Sequence, residues 1–192
     1  SIDFGTVTYD GAGDQGIVED IYYNLTAGSG GIKTLGGNVT VTNDLKIDTD
    51  VTIAMDTHNL TVTDDTDIDG TLAVAGNTLT LNGASDIDGT ITISTGTVDA
   101  DSSFDGTNGT ITFTGTGNLT LSSTVTSLGT LSTTNGTVTY DGVDQTVFSG
   151  DYYSLTAGGG SGTKTLGGAV TVAGDLTIDA NVTTAMGANN LT

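Results

Sequence analysis

A hydrophobic residue that returns every 19 to 21 positions is the feature that most constrains this chain. One series runs through Leu60, Leu79, Val98, Leu119 and Val138. A second series runs through Leu72, Ile91, Ile111 and Leu131. Successive members are 19, 19, 21 and 19 positions apart in the first series and 19, 20 and 20 apart in the second. A fixed period of this length indicates a repeat architecture in which each repeat stacks on the one before it.

Strict alternation of apolar and polar residues surrounds each of these positions, as in residues 89–93 (GTITI) and 109–113 (GTITF). Alternation over four or five residues, bounded by Gly, Asn or Asp, is typical of short strands joined by turns, and no segment shows the helical period of 3.6. We therefore predict an all-β fold, a parallel β-solenoid of the right-handed β-helix type, with about 19–21 residues per coil. Nine or ten coils would stack at about 4.8 Å. A β-sandwich would not keep equivalent residues in register every 20 positions.

A much longer repeat contains these coils. Residues 5–63 match residues 136–192 at an offset of 131, and the string GTVTYDG stands at both 5–11 and 136–142. The coils in residues 64–135 are variants that lie between the two copies. We expect one continuous solenoid over residues 1–192, which corresponds to about one and a half units of a longer array.

The charge balance excludes several classes of function. The chain has 23 acidic residues against three lysines and no arginine, for a net charge of -20. Binding of nucleic acid requires Lys or Arg to neutralise phosphates, so we expect none, and no apolar run reaches the roughly 18 residues of a membrane span. Polysaccharide-cleaving parallel β-helix enzymes resemble this architecture, but they use basic residues beside acids. With no Cys and only His58 as an imidazole, we expect no enzymatic activity.

Threonines flank the two apolar series and would line the outside of the coils. If these columns bind a ligand, the residues involved are Thr71, Thr90, Thr92, Thr110, Thr112 and Thr130 beside one series, and Thr61, Thr78, Thr80, Thr120, Thr137 and Thr139 beside the other. Such Thr-x-Thr arrays resemble the ice-binding faces of solenoid antifreeze proteins, although Ala73, Asp99 and Asn118 interrupt them. The alternative is that β-branched threonine simply suits an exposed strand.

Closely spaced aspartates suggest a calcium site. Residues 65–70 read DTDIDG, which matches the opening of a calcium-binding loop, but Gly76 occupies the position of its closing glutamate. A shortened form of the motif recurs in the next coil, which would place Asp67 over Asp86 and Asp69 over Asp88. The candidate Ca²⁺ ligands are Asp65, Asp67, Asp69, Asp86 and Asp88. The alternative is that these aspartates are solvated turn residues.

The string GTVTYDG…YYxLTAG…KTLGGxVTVxxDLxID resembles the repeats of large bacterial β-helical surface proteins, namely adhesins, filamentous-haemagglutinin-like proteins and autotransporter passengers. The resemblance implies a secreted, cell-surface or fibrous role. We therefore expect a non-catalytic structural segment of an extracellular filament or stalk, which assembles with copies of itself head to tail or laterally. The alternative is a module that binds ice, carbohydrate or another surface through its threonine faces.

Overall fold

The computed structural model describes residues 4–192, and these residues form a single stack of parallel strands. The prediction of an all-β parallel solenoid is confirmed, with about nine coils of about 19 residues. Each coil has three short strands, one on each of the three sides of the rod, and every strand pair within the sheets is parallel. The described residues form no helix of the length and apolarity that would cross a bilayer.

The 28 strands are numbered β1 to β28 along the chain, and three long sheets contain most of them. Sheet 1 contains β1 (Thr6–Tyr9), β4 (Asn24–Ala27), β7 (Leu45–Ile47), β10 (Thr66–Ile68), β13 (Ser85–Ile87), β16 (Phe104–Asp105) and β19 (Val125–Ser127). Sheet 2 contains β2 (Gln15–Ile17), β5 (Gly31–Leu35), β8 (Val51–Ala54), β11 (Thr71–Ala73), β14 (Thr90–Ile93), β17 (Thr110–Phe113) and β20 (Thr130–Leu131). Sheet 3 contains β3 (Ile21–Tyr22), β6 (Val39–Val41), β9 (Leu60–Val62), β12 (Thr78–Leu81), β15 (Thr97–Ala100), β18 (Asn118–Leu121), β21 (Thr137–Tyr140), β24 (Ser154–Ala157) and β27 (Leu176–Ile178).

Two small sheets occupy the positions of sheets 1 and 2 in the last coils. The first contains β22 (Gln145–Val147), β25 (Gly162–Leu166) and β28 (Val182–Ala185), and the second contains β23 (Gly150–Tyr152) and β26 (Val170–Val172). The outward surfaces of the three sheet positions are called face 1, face 2 and face 3 below.

The core is a set of apolar ladders that run along the rod. Leu79 pairs with Leu60 below it and with Val98 above it, and all three are buried. Leu72 and Ile91 pair in the same way on sheet 2. Full burial of an aliphatic side chain contributes about 1.5–3 kcal/mol, so these ladders are the main source of stability. The register that the sequence spacing predicts is therefore the register of the structure.

Each strand of the first copy has an equivalent strand in the second copy, but the two equivalents lie on different sides of the rod. Strands β1 to β8 are equivalent to β21 to β28, so 20 strands separate equivalent positions (21 − 1 = 20). A coil has three strands, and 20 is not a multiple of three, because six coils contain only 18. The segment Thr6–Tyr9 lies in sheet 1, whereas its counterpart Thr137–Tyr140 lies in sheet 3. The second copy is thus turned by one face relative to the first.

Candidate functional site

Face 1 carries most of the charge that projects from strands. The outward column of sheet 1 begins with two threonines and then becomes charged, in the order Thr8, Thr26, Lys46, Asp67, Asp86 and Asp105. A shallow groove of about 600 Å³ runs beside this column. Its other wall is the corner that contains Asp44 and Asp65. The sequence prediction that Asp67 stacks on Asp86 agrees with this register.

Lys46 neutralises the lower end of the acidic column. Its ammonium group lies 2.6 Å from a carboxylate oxygen of Asp67, 2.9 Å from Asp69 and 3.8 Å from Asp48. The hydrogen bonds to Asp67 and Asp69 raise the pKa of Lys46 above its ordinary value. These side chains are partly exposed, so solvent screens the attraction and the pairs contribute modestly to stability.

The five aspartates of the predicted calcium site do not converge on one point. Asp67 and Asp69 hold Lys46, whereas Asp65 lies on the corner with Asp44 and Asp64. The carboxylate oxygens of those three corner residues are within 4.8 Å of one another, and all three residues are exposed. One oxygen of Asp65 also accepts a hydrogen bond from the backbone N–H of Ala84 at 3.1 Å. Calcium binding here stays a prediction.

Asp86 and Asp88 lie one coil above and have no lysine beside them among the described residues. Ile87 pairs with Ile68, which places Asp88 over Asp69 as predicted. Desolvation raises the pKa of Asp86, and the negative charges of Asp88, Asp105 and Asp67 raise it further. The carboxylate of Asp86 is therefore repelled by the carboxylates around it.

Face 2 has an uninterrupted column of threonines. Strand pairing aligns Thr52, Thr71, Thr90, Thr110 and Thr130. A second column on this face contains Thr34, Ala54, Ala73, Thr92 and Thr112. The predicted threonines of this series are thus adjacent, and Thr52 extends the column by one coil beyond the predicted set. The two alanines interrupt the second column, so threonines stand side by side only on β14 and β17.

Face 3 carries the longest column, because sheet 3 runs through all nine coils. The column begins with the exposed Ile21, and its other aligned members are Thr40, Thr61, Thr80, Asp99, Thr120, Thr139, Thr156 and Thr177. Thr78 and Thr137 lie in the neighbouring column. Burial raises the pKa of Asp99, and the charges of Asp101 and Asp141 raise it further. Hydroxyl and methyl groups therefore recur about every 4.8 Å along this face, with one acidic interruption.

The two sequence-predicted series of threonines consequently lie on different faces of the rod. They do not form one surface. A flat ligand could contact either face 2 or face 3, but the coil turns between them. Face 3 has the greater length.

Two lysines that sequence reasoning missed are fully buried. Lys33 and Lys164 are equivalent residues of the two copies and neither is exposed to solvent. The ammonium group of Lys33 donates to three backbone carbonyls, those of Gly11, Gly13 and Gly30, at 2.5, 3.0 and 2.8 Å. Lys164 donates to the carbonyls of Gly142 and Val143. Desolvation lowers the pKa of Lys164. Lys33 therefore joins the glycine-rich loop before β5 to the coil below, whereas Lys164 binds only the loop of the coil below.

Each copy also contains a closed ring of hydrogen bonds through two tyrosines. In the second copy the N–H of Phe148 donates to the Tyr140 hydroxyl at 3.1 Å, and the Tyr152 hydroxyl donates to the carbonyl of Phe148 at 2.6 Å. The two hydroxyls lie 2.9 Å apart, so that of Tyr140 donates to that of Tyr152. Tyr9, Tyr22 and Val18 repeat this ring in the first copy.

Comparison of the chain with protein-family models, with curated proteins and with solved structures finds no match. A function must therefore be inferred from the geometry of the rod and its three faces.

Proposed function

We propose that this chain is a non-catalytic structural segment of a secreted or cell-surface protein, in which it forms part of an extracellular rod. The observation that supports the proposal most directly is the strand-for-strand equivalence of β1–β8 and β21–β28. A unit that repeats in this way lengthens the rod and keeps the same core ladders. Extension by repetition is what a stalk or filament requires.

The surface chemistry and the sequence resemblance support an extracellular role of the adhesin or filamentous-haemagglutinin-like type. The outward positions are mainly threonine and aspartate, which solvate the rod and give the chain its charge of -20. A structural role also agrees with the repeat itself, because His58 is replaced by Asn189 in the second copy. The two copies thus share Lys, Gln and Tyr residues at equivalent positions but do not share an imidazole.

The length of the rod tests this proposal. Nine coils at about 4.8 Å give a rod of about 43 Å, and an added unit of 20 strands should lengthen it by about 32 Å. Small-angle X-ray scattering of this chain and of a version extended by one 131-residue unit would measure both values. A particle that becomes more globular when the unit is added would contradict the proposal.

End-to-end association with a second copy is a further element of this proposal. On β27 the inward-facing Leu176 and Ile178 are 43% and 47% exposed. Their counterparts Leu45 and Ile47 are almost fully buried, because β10 of the next coil pairs over them. A strand from a second copy, placed as β10 is placed, would bury the same apolar area. We therefore propose that a strand of a second copy pairs with β27.

Sedimentation velocity over a range of concentrations tests the association. Replacement of Leu176 and Ile178 by lysine should abolish it, because two charges would then lie in the apolar contact. The matched control is Thr177→Lys, which lies between them and points outward. The end contact would be refuted if the wild-type chain stays monomeric at all concentrations, or if the control abolishes association equally.

Binding of an ordered surface, such as ice or a crystalline polysaccharide, is the alternative function, and the threonine column of face 3 favours it. Thermal hysteresis and pull-down on insoluble polysaccharide, each with calcium present, would detect it. Asp99→Thr completes the column and should strengthen binding, whereas Thr80→Lys should weaken it. Absence of both activities in the wild-type chain would rule this function out.

A further inference from the structure

One boundary between coils differs from the others in the described residues. Below it lie β19 and β20, and above it lie β22 and β23. On face 3 the hydrogen-bonded ladder continues through β18, β21 and β24, but no strand pairing joins β19 to β22 or β20 to β23. Sheets 1 and 2 therefore both stop at this boundary, and two new sheets begin above it.

A cleft opens at each of the two breaks. The cleft on face 1 has a volume of about 280 Å³ and lies between residues 122–125 and residues 144–146. The cleft on face 2 has a volume of about 190 Å³ and is lined by residues that include Leu131, Phe148 and Tyr152. Two sides of the rod are thus separated at this level while the third remains paired.

The repeat explains why the break occurs here. The second copy begins at residue 136 and is turned by one face. As a result β22 lies above β19 and β23 lies above β20, a combination of strands that occurs at no other boundary in residues 4–192. The first coil of the copy is also short, since β21 and β24 begin 17 residues apart (154 − 137). The coil below it takes 19 residues (137 − 118). This shorter coil pairs with the coil above it on all three sides, so the mismatch is confined to the boundary below it.

Gln145 is the side chain that ties the two coils together beside the face 1 cleft. It is 8% exposed, and its amide nitrogen donates to the carbonyls of Leu121 at 2.7 Å and Ser123 at 2.6 Å. Its amide oxygen accepts a hydrogen bond from Gly142 N–H at 3.0 Å. The equivalent Gln15 accepts the same hydrogen bond from Gly11 N–H at 2.8 Å. Gln145 therefore joins two coils that strand pairing does not join on face 1.

We propose that this boundary is a hinge in the rod and that the face 3 ladder is its pivot. The hydrogen bonds from Gln145 to the coil below limit how far the hinge opens. Bending about the pivot changes the width of the clefts on faces 1 and 2 and breaks no strand pairing. Elsewhere a bend of the rod would have to break backbone hydrogen bonds on at least one face. Flexibility of this kind belongs to a single chain and does not depend on end-to-end assembly.

Distances between spin labels test the hinge in the intact chain, which has no cysteine of its own. The pair Asp86→Cys with Thr165→Cys spans the boundary, and the control pair Thr8→Cys with Asp86→Cys lies below it. Each pair covers four coil steps, about 19 Å along the rod, and all three positions are exposed. Pulsed electron–electron double resonance should give a distance distribution about twice as wide for the pair across the boundary as for the control pair.

Two further variants distinguish a hinge at this boundary from flexibility along the whole rod. Gln145→Ala should widen the distribution of the boundary pair again and leave the control pair unchanged. Gln15→Ala should widen neither. Equal widths for the two label pairs in the otherwise unmodified chain would overturn the proposal, and so would equal effects of the two glutamine variants. Circular dichroism of every labelled protein establishes that it is folded before the widths are compared.

Discussion

Replacement of Tyr152 by phenylalanine should destabilise the protein more than the same change at Tyr22, although the two residues make the same hydrogen bonds. Tyr152 is 1% exposed and Tyr22 is 7% exposed. Loss of the Tyr152 hydroxyl leaves the Tyr140 O–H without an acceptor and the carbonyl of Phe148 without a donor. The Tyr140 hydroxyl is fully buried, so water does not readily replace its lost partner.

The magnitudes follow from that difference in burial. A buried polar group left without a partner costs about 1–3 kcal/mol, so we expect about 2 kcal/mol for Tyr152→Phe. In the first copy Tyr9 is only half-buried and Val18 is largely exposed, so water can solvate the groups that Tyr22 leaves behind. There the loss should approach the net value of one hydrogen bond, about 0.5–1 kcal/mol.

Urea unfolding followed by circular dichroism measures both losses. A change in the midpoint at constant slope reports stability, and a changed slope would show that the repeat no longer unfolds in one step. The double variant Tyr140→Phe with Tyr152→Phe should lose less than the sum of the single changes, because it removes both ends of one bond. Equal losses at Tyr152 and Tyr22, or a larger loss at Tyr22, would refute the reasoning.

Three further predictions concern charge and pH. Lys46→Met leaves the carboxylates of Asp67 and Asp69 to repel each other and should lower the free energy of unfolding by about 0.5 kcal/mol at low salt. This loss should shrink in about 1 M NaCl, because salt screens the repulsion. A loss that does not depend on salt would contradict an electrostatic cause. Asp86→Asn removes a repelled charge and should raise stability by about 0.3 kcal/mol at low salt in the same urea assay, whereas a lower midpoint would count against the repulsion. Burial raises the pKa of Tyr140 to about 12, above its ordinary 10.0, so the unfolded chain loses this proton first. Its contribution to stability should be complete below about pH 10 and disappear as the pH rises to about 12, and absorbance at the tyrosinate band should show no ionisation of Tyr140 near pH 10.

The fold could be predicted from the sequence because a solenoid repeats its constraints along the chain. The spacing of Leu79 from Val98 is both the length of one coil and the register of one strand pair. The same arithmetic places Asp67 beside Asp86 and Thr71 beside Thr90. In a fold of this kind, residues that are one coil length apart in the sequence are neighbours in the structure.

The buried polar groups were missed, although alternation contained a signal for some of them. In the string 33–35 (KTL), Lys33 and Leu35 share one side of the strand, so a buried Leu35 implies an inward Lys33. The ion pair of Lys46 could also be read from the 21 residues that separate it from Asp67. The carbonyls that hold Lys33 belong to loops, and their positions depend on backbone conformations such as the positive φ of 73° at Gly31. Local patterns of sequence do not determine such distances.

The turn of the second copy has a mechanical consequence for any array built by continuing this unit. Each new unit begins one side further round the axis, so three units, or about 20 coils, complete a screw with a pitch of about 96 Å. The pivots at successive unit boundaries then point in directions about 120° apart, because each pivot turns with its unit. A single boundary lets the rod bend in one plane, whereas three successive boundaries together let it bend in any direction. An array of this kind would combine stiff segments with compliance in every direction.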